Sequence, residues 1–138
     1  MAERPDAVET ALRALRFRDR STAELDLRLE QRGVGAAERV EALETLERIG
    51  YVDDERFARS RAERLAERGS GDALIRDDLK RRGIAVEVVE AALAGLEPEC
   101  ERAARIVERR GPGVKTARYL AAKGFGEDVL EGIVAQGE

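Results

Sequence analysis

One short pattern constrains the fold of this chain more than any other feature: a basic residue, a glycine and a large apolar residue in succession. It occurs three times, at 32–34 (Arg-Gly-Val), 82–84 (Arg-Gly-Ile) and 123–125 (Lys-Gly-Phe). The tripeptide is typical of a helix ending: the cation faces the negative end of the helix dipole, glycine adopts a left-handed backbone, and the apolar side chain packs back. Three such endings, 50 and then 41 residues apart, predict three related helical units.

Amphipathic stretches surround each ending. Leu25 and Leu29 precede the first ending, and four apolar residues follow it with the three-residue spacing of one helical face: Val40, Leu43, Leu46 and Ile49. A further stretch of this kind precedes each pair, and no segment alternates as a strand does. We therefore predict an all-α fold of about nine helices, an elongated array of three tandem three-helix repeats at 5–50, 51–97 and 98–138. Each repeat is too small to bury a core alone and should pack on its neighbour.

Local signals mark two of the helix starts. Ser21 and Glu24 have the spacing of a capping box. Either Asp53 or Asp54 is suited to cap the fourth helix, because aspartate side chains accept hydrogen bonds from the free amides of a first turn.

Aromatic residues are only 4% of the chain, so each one is worth placing. Tyr51 and Phe57 flank the Asp-Asp turn and could anchor an interface, but we predict that they pack in the joint between the first and second repeats. Cys100, on an alanine-rich helix, is predicted to be a small packed hydrophobe.

Composition excludes several kinds of catalysis. The 138 residues include no histidine, which removes Ser-His-Asp chemistry, histidine acid–base catalysis and histidine metal sites. The single cysteine forms neither an internal disulfide nor a thiolate zinc site. Residues 111–116 end in Lys-Thr as a phosphate-binding loop does, but the glycines lack its spacing. We predict no catalytic residue, no metal site, no cofactor, and hence no enzyme.

The expected location is the cytoplasm. No apolar run approaches the ~20 residues needed to cross a bilayer, and the N-terminus does not resemble a secretion signal. Together with the single cysteine, these features predict a protein of a reducing compartment that does not associate with membranes.

The densest basic surface is predicted on the fourth and fifth helices, and we take it as the candidate partner-binding site. The alternative is a solvated face balanced by nearby acidic residues. The net charge is −4, and none of the three predicted repeats is net basic, so tight binding to bare DNA is not implied. The candidate residues are Arg61, Arg64, Arg68, Arg76, Lys80, Arg81 and Arg82.

Residues 49–58 resemble the most distinctive motif of the RecX family, bacterial modulators of the recombinase RecA. That motif is a Gly-Tyr-apolar-Asp-Asp turn followed by x-x-Phe. Upstream, residues 11–25 are similar to the family's first-repeat signature. Downstream, residues 69–84 resemble its pattern of spaced glycines with Ile75 and Leu79, and Gly124-Phe125 resembles the close of its third repeat. The motif residues, expected to be structural, are Gly50, Tyr51, Asp53, Asp54, Phe57 and Gly83.

The resemblance implies a curved helical array that binds RecA and the RecA–single-stranded DNA filament. It implies inhibition of the filament's ATPase, strand-exchange and co-protease activities, and so a role in DNA repair, recombination and the SOS response. Because a filament presents many identical sites, modest affinity per subunit can still suppress growth. We expect a monomer that contacts DNA directly only weakly, if at all.

Two other hypotheses stay open from the residues alone. Three-helix units can resemble helix-turn-helix folds, so a direct DNA-binding module is the first alternative, and it predicts a steep salt dependence. A helical adaptor for another protein is the second.

Overall fold

The computed structural model describes residues 6–137 and has nine α-helices and no strand within that range. This confirms the predicted all-helical fold. Pro5 and Glu138, the outer limits of the first and third predicted repeats, lie outside the described residues. The helices are α1 (Ala7–Phe17), α2 (Thr22–Gln31), α3 (Ala36–Arg48), α4 (Asp54–Glu67), α5 (Asp72–Arg81), α6 (Val86–Ala94), α7 (Glu99–Arg110), α8 (Val114–Ala122) and α9 (Glu127–Gln136).

The basic-Gly-apolar tripeptides follow α2, α5 and α8, as predicted. Gly33, Gly83 and Gly124 have φ values of +84°, +79° and +89°, in the left-handed region that favours glycine. The apolar residue after each glycine is buried, with at most 5% of its surface exposed. The tripeptide therefore ends each helix and returns a side chain to the core.

The helix starts also agree with the local signals. Ser21 and Glu24 form the predicted capping box at α2. Of the two candidate caps for α4, Asp53 takes the role: its Oδ1 accepts a hydrogen bond from the amide of Arg56 at 3.0 Å. Asp54 is the first residue of the helix.

The chain divides into two compact units. The first contains the described residues up to Phe57 together with Arg82–Ile84, and the second contains Ala58–Arg81 and the residues from Ala85 onward. These limits differ from those of the three predicted sequence repeats, which stay a prediction.

Each unit has its own apolar interior. In the first unit α1 packs against α2 and α3, around fully buried Leu25, Leu29 and Leu46. In the second unit α5 packs against α6, while α7, α8 and α9 pack around Ile106, Leu120 and Ile133. Phe57 is buried at 8% exposure, as predicted, whereas its place between the first and second repeats stays a prediction.

Two of the packing predictions are wrong. Tyr51 is 57% exposed, because the residue that the Gly50 turn sends inward is its neighbour Val52, at 2% exposure. Cys100 is exposed as well, because the buried face of α7 is made by Arg102, Ala103 and Ile106.

None of the helices in residues 6–137 has both the length and the apolar character needed to cross a membrane.

Candidate protein-binding surface

The Gly-Tyr-Val-Asp-Asp motif is a structural joint between α3, α4 and α2. Gly50 has φ +85°, and its carbonyl accepts a hydrogen bond from the Arg56 guanidinium at 3.1 Å. Asp54 reaches the start of α2, where its Oδ1 accepts hydrogen bonds from the Thr22 amide at 2.8 Å and the Thr22 hydroxyl at 3.0 Å. The first aspartate thus caps its own helix and the second caps α2.

The second basic-Gly-apolar tripeptide contacts the start of α2. The Ser21 hydroxyl donates a 2.6 Å hydrogen bond to the carbonyl of Arg82. A Cβ atom at Gly83 would lie only 2.3 Å from the Cβ of Ala23, so only glycine fits this contact. The Arg82 guanidinium binds Glu24 at 3.0 Å, on the carboxylate that also closes the capping box.

The third tripeptide makes the equivalent contact at the start of α5. The amides of Gly71 and Ala73 donate to the carbonyls of Lys123 and Gly124, at 2.7 and 3.1 Å. A Cβ at Gly124 would lie 2.6 Å from the backbone nitrogen of Leu74. The sequence pattern predicted a helix ending here but not the docking of that ending on another helix.

A buried arginine that the sequence analysis missed reinforces the α5 joint. Arg102 is only 9% exposed, and its guanidinium donates to the carbonyls of Glu97 and Ser70, both at 2.9 Å, and to the carboxylate of Asp72. Ser70 and Asp72 lie 32 and 30 positions earlier, so no local spacing marks Arg102.

Glu99 caps two helices at the same joint. Its Oε2 accepts from the amide of Asp72 at 2.7 Å and its Oε1 from the amide of Gly126 at 2.8 Å, at the starts of α5 and α9. The only available signal was an acidic residue in the first turn of α7, which is too common to have identified it.

Four of the seven predicted partner-binding cations form ion pairs within the chain. Arg61 makes a two-pronged pair with Asp78, with both contacts at 3.0 Å and both side chains at most 20% exposed. Arg81 pairs with Asp77 on the surface of α5 at 3.1 Å. Arg82 pairs with Glu24 and belongs to the first compact unit, whereas the other six lie in the second.

The fourth pair joins Arg76 of α5 to Glu90 of α6 through contacts of 2.8 and 3.3 Å. The hydrogen bond from Arg76 lowers the pKa of Glu90, and nearby Lys80 lowers it further. The same bond raises the pKa of Arg76. This pair keeps both groups charged and holds two helices of the second unit together.

Three members of the predicted set differ from these four, and we call them the open cations: Arg64, Arg68 and Lys80. All three are exposed, and none forms an ion pair with a described residue. Arg64 lies in the last turn of α4, and Arg68 follows the last residue of that helix, four positions later. They are the guanidinium groups of the set that are free to bind carboxylates or phosphates of a partner.

A second basic cluster lies at the end of α1, in the first unit. Phe17 is 82% exposed there, in a run of residues that includes Arg16, Arg18 and Arg20. Partial burial, followed by the like charges of Arg18 and Arg28, lowers the pKa of Arg20. The sequence pattern did not predict a basic site around Phe17.

Within residues 6–137, no three Cys, Asp or Glu residues are grouped so that they could hold a metal ion. The described residues form an all-helical protein whose predicted binding surface carries two exposed arginines without an ion pair, Arg64 and Arg68.

The chain belongs to the RecX family. A sequence model described as "RecX, second three-helix domain" matches residues 53–93. The chain is 35% identical to the regulatory protein RecX of Syntrophotalea carbinolica, over 94% of this chain and 95% of that one. It is 32% identical to the regulatory protein RecX of Deinococcus radiodurans, over 87% of this chain but only 62% of that longer protein.

A solved structure has the same fold. The crystal structure of RecX from Lactobacillus salivarius superposes with a TM-score of 0.80, covering 94% of this chain and 93% of that one, at 20% sequence identity.

Proposed function

We propose that this protein is a non-enzymatic regulator that binds RecA and its filament on single-stranded DNA. It acts in the cytoplasm as a monomer, and it inhibits the ATPase, recombinase and co-protease activities, which modulates DNA repair, recombination and the SOS response. Membership of a family whose members are named regulatory proteins supports this proposal.

The observation that carries the proposal is the open pair Arg64 and Arg68. Their neighbours in the predicted basic set are neutralised by Asp78, Glu90 and Asp77, whereas these two are exposed without an ion pair among the described residues. Guanidinium groups bind carboxylates and phosphates through paired hydrogen bonds, and a nucleoprotein filament offers both.

The direct test is the ATPase of the cognate RecA on single-stranded DNA, titrated with this protein. We expect inhibition by the wild type at stoichiometric concentration. Reversing both charges, Arg64→Glu with Arg68→Glu, should raise the half-inhibitory concentration by about tenfold or more, because attraction becomes repulsion.

The matched control is Arg59→Glu with Arg118→Glu, which makes the same change of net charge at two other exposed arginines. Its inhibition should equal that of the wild type. If the Arg64/Arg68 variant melts normally and inhibits normally, the α4 surface is not the binding site. If the wild type leaves the ATPase unchanged, the proposed function is wrong.

The exposed Phe17 supports a second candidate, direct contact with single-stranded nucleic acid in the first unit. Proteins that bind single strands without sequence preference combine cations with an aromatic ring on which a base stacks. Phe17→Ala should then weaken binding of a fluorescent oligonucleotide by about 5- to 150-fold, since a stacked base contributes about 1–3 kcal/mol. Equal affinity of variant and wild type would remove this candidate.

A further inference from the structure

A groove in the second unit runs between the end of α4 and α7. It consists of two adjoining clefts of about 410 and 330 Å³. They share Glu67, Gly69, Ile106 and Arg109 as lining residues, so they form one continuous depression. We name it the α4–α7 groove. It is separate from the Arg76 and Lys80 surface but includes Arg68, one of the open cations.

One end of the groove concentrates cations that have no carboxylate partner. Arg68 and Arg109 are exposed and form no ion pair with a described residue. The guanidinium carbon of Arg110 lies 3.6 Å from the centre of the Tyr119 ring, which orients it by a cation–π contact instead of an acidic neighbour. The Lys123 side chain passes beside Gly69 at the same end.

Two other arginines of the groove, unlike those at the Tyr119 end, are paired with carboxylates. Arg102 binds Asp72 and Arg105 binds Glu97. The arginines at the α6–α7 end are thus paired with carboxylates. Those beside Tyr119 form no ion pair with a described residue, although Glu67 also lines this end of the groove. A ligand that binds at the Tyr119 end must bring its own negative charge.

The remaining lining residues distinguish a peptide from a polynucleotide. The floor is apolar, with Ile106 and Phe125 each 5% exposed to solvent. Glu63 and Glu67 line the α4 wall, and they would repel the regularly spaced charges of a phosphate backbone. A peptide can place carboxylates against the arginines and apolar side chains on the floor, because its charges need not be evenly spaced.

We propose that the α4–α7 groove binds an acidic peptide segment that also carries apolar side chains, presented by the protein partner. Its carboxylates pair with Arg68, Arg109 and Arg110, and its apolar side chains cover Ile106 and Phe125. This inference rests on the proposed function only in taking the recombinase as the source of the segment.

The test uses two short fluorescein-labelled peptides, one of alternating glutamate and leucine and one with every glutamate replaced by glutamine. Fluorescence anisotropy should show that the full chain binds the first peptide and not the second. Arg68→Ala with Arg109→Ala should weaken binding by about tenfold or more, from the loss of two charge-assisted contacts. Arg59→Ala with Arg118→Ala, outside the groove, should bind as the wild type does.

Three results would overturn the inference: no binding of the glutamate peptide, equal binding by all variants, or preferential binding of a labelled single-stranded oligonucleotide at the groove. The RecA ATPase assay separates this inference from the proposed function. A wild type that inhibits RecA but does not bind the peptide refutes the groove alone. A wild type that binds the peptide but does not inhibit RecA refutes the regulatory function alone.

Discussion

At the scale of single residues, three glycines share one backbone conformation but not one environment. Gly33, Gly83 and Gly124 all have positive φ. The space where a Cβ would stand is empty at Gly33, whereas Ala23 fills it at Gly83 and the backbone of Leu74 fills it at Gly124. The left-handed backbone at the helix ending favours glycine at all three positions. At Gly83 and Gly124, close packing on a neighbouring helix is a second reason for glycine.

Alanine substitution at these glycines should therefore give two sizes of effect. Gly33→Ala should lower the free energy of unfolding by about 1–2 kcal/mol, the cost of a left-handed alanine. Gly83→Ala and Gly124→Ala should each lose about 1–3 kcal/mol more, because a methyl group is forced into a packed contact. Urea unfolding followed by circular dichroism measures the difference. Equal losses at all three positions would contradict the docking role.

At the scale of helices and their joints, the sequence predicted the caps and endings that depend on neighbouring residues. The Ser21–Glu24 capping box, the Asp53 cap and the three helix endings all depend on residues within a few positions of one another, and each was found. The sequence did not predict the partners of Arg61, Arg82 and Arg102. Their carboxylates lie 17, 58 and 30 positions away, and helical periodicity contains no information on such pairs.

The exposure of individual side chains was the second feature that the sequence did not predict reliably. Tyr51 is predicted to pack in the joint between the first and second repeats, yet it is the next residue, Val52, that the Gly50 turn buries. The basic surface on α4 and α5 was predicted from the sequence, but the sequence does not show which of its arginines contact acidic residues on other helices. The open pair Arg64 and Arg68 emerged only when Asp77, Asp78 and Glu90 could be placed.

The Arg102 joint gives the strongest stability prediction at this scale. Arg102→Ala leaves the Asp72 carboxylate and the Ser70 carbonyl without their shared donor, so the free energy of unfolding should fall by about 3–5 kcal/mol. Arg105→Ala, three positions away on the exposed face of α7, should cost about 1 kcal/mol or less. Thermal melting of the two variants checks this, and comparable losses would show that burial of Arg102 adds nothing.

The ion pair between α5 and α6 should make part of the stability depend on pH. Because Arg76 lowers the pKa of Glu90 below the ordinary value of a glutamate, the pair stabilises the folded state above that ordinary value. Its contribution is lost as the pH falls through the lowered value, since the carboxylate is then neutral in both states. The stability difference between the wild type and Glu90→Gln should therefore vanish on acidification. Glu131→Gln, at an exposed glutamate without an ion pair among the described residues, serves as the control.

At the scale of the whole molecule, the net charge is −4, so the chain is not positively charged overall. The 25 basic residues are outnumbered by 29 acidic ones, and many arginines are used in joints between helices. In the predicted set, three cations form no ion pair with a described residue: Arg64, Arg68 and Lys80. We expect such a protein to recognise its partner through a few placed cations, not through long-range attraction to a polyanion.

This charge distribution predicts how binding should respond to salt. If three cations meet phosphates of bare single-stranded DNA, the slope of log affinity against log salt is about −2, because each contact contributes about −0.7. We expect weak binding with a slope no steeper than this on bare DNA, and tighter binding on DNA coated with RecA, where protein contacts add to the affinity. Anisotropy titrations across a salt series measure both. Tight binding to bare DNA with a slope beyond about −4 would instead require at least five or six phosphate contacts and would favour a direct DNA-binding module over a regulator that recognises the filament.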